Sequence, residues 1–325
     1  MEKILVTGAN GFLATNTIAE LLDAGYEVKG VLRNVSSFIG DMHRHLQLVE
    51  GDFTDKDFIY EAVKGCDQVV HIAAMTGQTG SHTEYYRVNV EATIRLVEAA
   101  IAAGVRRMIY VSSANAFAYG SKDCPGDESK PTRWPFTDSD YALSKAEAQL
   151  RLNEYTDRIE IITVNPTFMI GPMDIKPSSG RIITMGYGKR IMVAPPGGKN
   201  FVHVGDVSKG IVAAMKNGRN GEAYLLSGEN LDYHSFYTAL SRISGIKMMV
   251  IRLPKLVVLA IGHICSLLYK VGIKSDATFE NMRLLCIGNY YTNAKARAEL
   301  GICFRTAEEA IRDAVYWFRN NRILK

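Results

Sequence analysis

The sequence predicts an α/β protein with a largely parallel sheet covered by helices on both faces. Three observations support this. Apolar runs rich in Val and Ile fall near residues 3 to 8, 27 to 33, 46 to 52, 68 to 74, 106 to 113 and 159 to 166. They are nearly continuous rather than alternating, as strands buried on both faces must be. Segments of helical period separate most of them. With 325 residues, 47% of them hydrophobic, the chain can fill one large domain with an attached lobe. After Pro166 the pattern loosens: "GPMDIKPSSG" reads as loop, and "FVHVGD" and "EAYLLSG" read as short strands returning to the sheet. No internal repeat or linker marks a boundary. The expected division is a core of 1–166, with 201–228 returning to it, and a smaller substrate lobe of 167–200 and 229–325.

Composition excludes several classes. The net charge of +4 is scattered, without a basic run or aromatic-interleaved patch, so nucleic acid is not an expected partner. Five cysteines form no Cys-x-x-Cys pair, and their odd number and irregular spacing argue against a disulfide framework or a metal site. The opening "MEKILVTG" reads as a buried strand rather than a signal peptide, so a cytoplasmic protein is expected. The stretch "KLVVLAIGHICSLLYKVG", Lys255 to Gly272, is apolar between its lysines but shorter than the roughly 20 residues a spanning helix needs. Two readings stay open for its centre, 256–269: a helix covering the pocket, or a weak contact with a membrane surface. The sequence leaves the oligomeric state open, and a homodimer is compatible with it.

The first strand runs into "TGANGFLA", placing Gly8, Gly11 and Ala14 in a G-x-x-G-x-x-[GA] spacing. Gly8 permits a tight turn, Gly11 lets the backbone approach a pyrophosphate, and Ala14 allows close packing of helix on strand. The phosphates would lie at the helix start, beside Phe12 and Leu13. The expected architecture is therefore a Rossmann-type doubly wound core that binds a dinucleotide. Strand two ends at Arg33, where a cation suits a 2′-phosphate and a carboxylate would suit a ribose hydroxyl. NADP is the expected cofactor, with NAD as the alternative; Ser36 and Ser37 are weak additional donors. Strand three ends "VEGDF", where Asp52 can accept from an adenine amino group.

A tyrosine with a lysine four residues on occurs three times: Tyr60 with Lys64, Tyr141 with Lys145, and Tyr291 with Lys295. In an open parallel sheet the ligand crevice lies at the carboxyl ends of the strands, where the following helices begin. Tyr60 and Lys64 lie late in a helix, at the opposite edge. Tyr291 and Lys295 belong to the outer lobe. Tyr141 alone opens a helix just after the loop that follows strand five, and that strand, "RRMIYVSS", delivers Ser113 to the same edge. Lys145 shares a helix face with Tyr141. A nearby ammonium and a positive nicotinamide ring would lower the phenol pKa, making Tyr141 an acid and base. Ser113 would orient the substrate oxygen, and Lys145 would also bind the cofactor ribose.

With "TGANGFLA", "GDF", "VVHIAA", "VNVEAT", "YVSSA", "YALSK" and "VNPTFMIGP" in this order, nearly the whole chain resembles the extended short-chain dehydrogenase/reductase superfamily. The closest likeness is to the branch of dihydroflavonol 4-reductases, 3β-hydroxysteroid dehydrogenases and hopanoid-associated proteins labelled sugar epimerases. The resemblance implies a catalytic set of Ser113, Tyr141 and Lys145. It implies cofactor contacts from Ala73, Ala74 and Pro166, with Phe53 beside Asp52, and a structural role for Asn89. Nucleotide-sugar epimerases and dehydratases typically carry Arg-Asp-[Phe/Tyr] before the strand matching "VHVGDV", the arginine gripping phosphate bidentately. This chain has Lys199, Asn200 and Phe201 there, and a lysine can still bind phosphate as a point charge.

The expected function is NADP-dependent reduction of a ketone or aldehyde, or oxidation of the secondary alcohol, on a largely apolar molecule. Met75, Phe168 and Met169 should face the nicotinamide side of the cleft, where methionines and aromatic rings suit an irregular hydrophobic ligand. A nucleotide-sugar epimerase or dehydratase is the alternative. A catalytically idle dinucleotide-binding regulator is a third reading.

Overall fold

Strand β1, Lys3–Thr7, is buried from Ile4 onward and has a parallel neighbour on each side, which is why its sequence carries no polar alternation. The computed structural model describes residues 1–77, 80–270 and 278–324. Strands β2 (Glu27–Leu32), β3 (Leu46–Glu50), β4 (Gln68–His71), β5 (Arg107–Val111) and β6 (Glu160–Pro166) follow. Then come β7 (Phe168–Ile170), β8 (Ile191–Ala194), β9 (Gly198–His203), β10 (Ala223–Leu226), β11 (Glu229–Asp232), β12 (Met249–Arg252) and β13 (Gly288–Asn289). The central sheet has seven parallel strands in the order β10-β6-β5-β4-β1-β2-β3. Strand order reverses between β1 and β4, and the crevice at this switch point is where such sheets take ligands.

Each face of the sheet has its own core. On one, Leu13, Ile18 and Leu21 of helix Phe12–Asp23 and Ile211 of helix Val204–Asn217 pack against Val6 and Ile109. On the other, Leu96 and Val97 of helix Ala92–Ala102 and Leu152 of helix Asp140–Leu152 pack against Leu5 and Met108. Each such fully buried aliphatic side chain contributes about 1.5–3 kcal/mol.

The strands stop short of their apolar runs, because side chains capture the backbone beyond them. Past β4, the Thr7 hydroxyl accepts from the N–H groups of Ile72 and Ala73, both at 3.1 Å. Past β3, Asp52 folds a turn onto Thr54. Past β5, Ser113 caps a short 3₁₀ turn, Ala114–Ala116.

One strand assignment needs correction. "EAYLLSG" joins the central sheet as β10, but "FVHVGD" does not return to it. Its strand, β9, belongs to a four-stranded sheet with β7, β11 and β13. The place beside β6 is taken by β10, and β7 diverges after Pro166 and pairs with β9 instead. There Phe201 is fully buried, stacked 4.6 Å from Phe236 with Phe168 edge-on at 5.6 Å, and belongs to a third core, that of the lobe.

The apolar segment after Pro254 forms helix Lys255–Lys270; Val271 and Gly272 lie outside the described residues. Val258 is buried, Gly262 abuts Met282 of helix Phe279–Leu285, and the opposite face is exposed.

Candidate active site

Gly8 leaves β1 at φ 72°, a conformation glycine alone adopts without strain, and a Cβ there would also lie 3.0 Å from the Ala73 Cα. Two loops of the crevice are thereby brought into contact. Gly11 donates to the Gly8 carbonyl at 2.8 Å and stands at the start of helix Phe12–Asp23, which no side chain caps. Ala14 is fully buried beneath it. The N–H groups near Phe12 and Leu13 thus open a helix dipole toward the crevice, and the tight loop permits close approach of an anionic ligand. These residues fit the pyrophosphate of a dinucleotide.

The loop after β2 reaches this turn: Asn10 of the glycine loop donates to the Ser37 hydroxyl at 2.7 Å. Arg33 is exposed at the head of that loop, and no described side chain pairs with it. The Ser36 and Ser37 hydroxyls donate to Asn34, leaving them less available than the sequence suggests. Asp52 is exposed, and its Oδ1 accepts from both the N–H and the hydroxyl of Thr54 at 2.9 Å. Asp52 thus holds the turn through Oδ1 and leaves Oδ2 free for a ligand. Phe53 is partly buried, 5.4 Å from the His71 ring.

Asn89 ties the far side together. Its Oδ1 accepts from Met75 N–H at 2.8 Å, and its Nδ2 donates to the Met75 carbonyl and to Ser144, both at 3.0 Å. This one buried amide fixes the 73–75 loop against helix Asp140–Leu152, which carries Tyr141.

Ser139 caps that helix, so Tyr141 sits in its first turn at the strand edge. Ser113 lies close enough to the Tyr141 phenol to act on its ionisation, bringing strand five and the helix onto one point. Burial raises the phenol above its ordinary value, and the neighbouring Ser113 hydroxyl only partly opposes this. The expected lowering by Lys145 is not delivered by the protein itself. The Lys145 ammonium is buried, donates to the Val111 carbonyl at 2.7 Å and lies 4.8 Å from the Tyr110 ring centre. Desolvation brings its pKa down to about 7, which diminishes the charge that would stabilise a phenolate.

The other two pairs differ. Lys64 is exposed and paired with Glu61. Lys295 is held by Glu222 and the Ala223 carbonyl. Tyr291, expected in the outer lobe, in fact lines a cavity with Ser113, but its hydroxyl donates to the Phe117 carbonyl at 3.3 Å and burial raises its pKa far above the usual.

That cavity is also lined by Pro166, Phe168, Asn115, Asn289 and Lys199. Phe168 lies where the sequence reading put it. Met75 and Met169 do not line it: Met169 packs against the sheet core, because its strand alternates Phe168 toward the cavity and Met169 away. No described side chain of helix Lys255–Lys270 lines it. The polar lining was not foreseen, because Asn115 follows a strand end without a motif and Asn289 lies far off in sequence. Lys199 is the lining's one cation among the described residues; it sits 4.9 Å from the Phe168 ring centre, and desolvation lowers its pKa to about 8. Asn200 is instead a structural tie, accepting from Thr167 and Gly228 and donating to Asn230.

Residues 4–227 match the model of the family described as NAD dependent epimerase/dehydratase. The chain belongs to that family. It is an enzyme using a nicotinamide dinucleotide. It is 28% identical over 326 residues to sterol demethylase protein B of Methylococcus capsulatus, covering 98% of this chain and 99% of that one. It is 29% identical over 322 residues to a 4-hydroxy-2-methyl-3-oxo-4-farnesyl-3,4-dihydroquinoline-1-oxide ketoreductase of Stigmatella aurantiaca, covering 96% and 95%. Among solved structures, gox2253 superposes over all of both chains with a TM-score of 0.86 and 30% identity.

Proposed function

We propose that the protein is an NADP-dependent reductase or dehydrogenase that interconverts a carbonyl and a secondary alcohol on a largely apolar molecule. The observation that carries this reading is the convergence of Ser113, past the end of β5, and Tyr141, in the first turn of helix Asp140–Leu152, at the crevice edge, with Lys145 one turn along the helix. Ser113 would hold the substrate oxygen against the phenol. Tyr141 would give that oxygen its proton in reduction and remove it in oxidation. Lys145 would bind the ribose hydroxyls. Gly8, Gly11, Phe12, Leu13, Ala73, Ala74 and Pro166 would hold the dinucleotide, which when bound supplies or accepts the hydride. Support for an apolar substrate comes from the two relatives, named for a sterol and for a farnesylated quinoline oxide, and from the presence of one cation rather than a pair in the cavity lining.

The polar wall of Asn115, Asn289 and Lys199 favours a second reading, a nucleotide-sugar epimerase or dehydratase. A panel of ketones and aldehydes run against UDP- and dTDP-sugars separates the two. The proposal expects net consumption of reduced cofactor on an apolar carbonyl. Conversion of a sugar nucleotide without net cofactor consumption, and no activity on any carbonyl, would promote the second reading.

The NADP preference rests on Arg33. Charge-assisted hydrogen bonds to a 2′-phosphate are worth roughly 1.5–3 kcal/mol, on the order of tenfold to a hundredfold in affinity. Arg33→Asp should reduce or reverse the preference. Equal binding of NADP and NAD by the unsubstituted protein in calorimetry would refute the assignment. We place the enzyme in the cytoplasm; no helix among the described residues is long and apolar enough to cross a membrane.

A further inference from the structure

Strands β8 and β12 pair in parallel as a separate ribbon, with Met249 opposite Ile191 and Ile251 opposite Val193. The inner side chains, Met192, Ala194 and Val250, belong to the lobe core with Tyr237 and Leu240 of helix Tyr233–Ser244. The outer face should then be polar, since a half-buried ribbon alternates apolar and polar positions. It is not: Ile191, Val193, Met249 and Ile251 are 62%, 43%, 64% and 42% exposed. Two residues after β12 the chain enters helix Lys255–Lys270, which repeats the inversion. Leu256 and Ile264, two turns apart, are 81% and 57% exposed, as is Leu267 at 64%. Single exposed apolar residues need no explanation, but a ribbon and the adjoining helix both turned apolar side out do.

The charge pattern indicates what covers this face. Residues 185–194 and 247–267 contain no Asp or Glu, while Lys189, Arg190, Lys247, Arg252 and Lys255 are all exposed. Of these, Arg252 has a carboxylate nearby, Asp232 at 3.6 Å. Apolar side chains on segments whose only charged residues are cations complement a bilayer surface, where the side chains enter the acyl boundary and the lysines and arginines meet anionic headgroups. We propose that the outer face of the β8–β12 ribbon and helix Lys255–Lys270 docks this enzyme on anionic membrane surfaces. A second copy of the chain would place these like charges against one another, which disfavours it as the occupant. The inference stands apart from the reading of the active site, whose cavity contains no residue of this face.

The test is flotation of the full chain with vesicles of phosphatidylcholine alone and of phosphatidylcholine mixed with phosphatidylglycerol. The mixed vesicles should retain the protein on the order of tenfold better, with retention falling as salt rises. The doubly substituted Leu256→Glu, Ile264→Glu chain and the triple Lys189→Ala, Arg190→Ala, Lys247→Ala chain should each lose that retention and keep dinucleotide binding, which reports an intact core. Equal recovery of the unsubstituted chain with both vesicles, or undiminished flotation of both variants, would overturn the proposal. So would a dimer of the unsubstituted chain in lipid-free light scattering that becomes monomeric on Leu256→Glu, Ile264→Glu, since a second copy would then occupy the face.

Discussion

Tyr141→Phe should lower turnover on the order of 10²–10⁴-fold and leave dinucleotide binding nearly unchanged, because it removes one hydroxyl and no packing. Tyr60→Phe and Tyr291→Phe serve as internal controls. Tyr60 packs in the core below the sheet, beside an exposed lysine already paired with Glu61. Tyr291 is the sterner control, since it shares a cavity wall with Ser113. Its hydroxyl is committed to the Phe117 carbonyl, and Lys295 is committed to Glu222, so neither a mobile proton nor a free cation is at hand. Turnover in both controls should stay close to that of the unsubstituted enzyme. Steady-state kinetics on any accepted substrate decides the matter, and full activity of Tyr141→Phe would show that the wrong pair had been chosen.

The contrast among these tyrosines shows what the sequence can convey. The strands, the glycine turn and the edge on which Ser113 and Tyr141 meet were legible, because burial on both faces and a positive φ at Gly8 restrict residue type locally. Tyr291 at the cavity wall was not, because β13 brings it there by pairing with β9, across ninety residues of chain, about the least local kind of contact. The same pairing places Asn289 against Asn115 and gives the cavity its polar side. β9 itself was misassigned because an apolar run reports burial and not which sheet supplies it. The protonation of the site was also out of reach. A lysine one turn from a tyrosine suggests a charged neighbour, yet only the structure shows Lys145 turned to the Val111 carbonyl and desolvated.

That desolvation has a large effect of its own, read in stability. Lys145 titrates at about 7 in the fold, against 10.5 for an ordinary lysine. Below about pH 7 both folded and unfolded chains hold the proton, and the fold carries the full cost of burying the charge. Between there and 10.5 only the unfolded chain still binds it, so the cost shrinks and stability rises with pH. At about 1.4 kcal/mol per pKa unit the effect is on the order of a few kcal/mol, large beside the 5–15 kcal/mol by which domains are typically stable. Lys145→Met keeps an unbranched apolar stem and discards the charge. It should therefore be more stable than the unsubstituted enzyme near pH 6 by on the order of a few kcal/mol, with the gap closing toward pH 10. Its turnover should nonetheless fall, since the proposed contact of Lys145 with the cofactor ribose is lost. Gain of stability with loss of activity is the signature of a charge retained for chemistry at the expense of the fold. Urea unfolding of the two proteins across this range measures the gap, and a difference that stayed constant with pH would mean that the Lys145 ammonium is solvated and not buried.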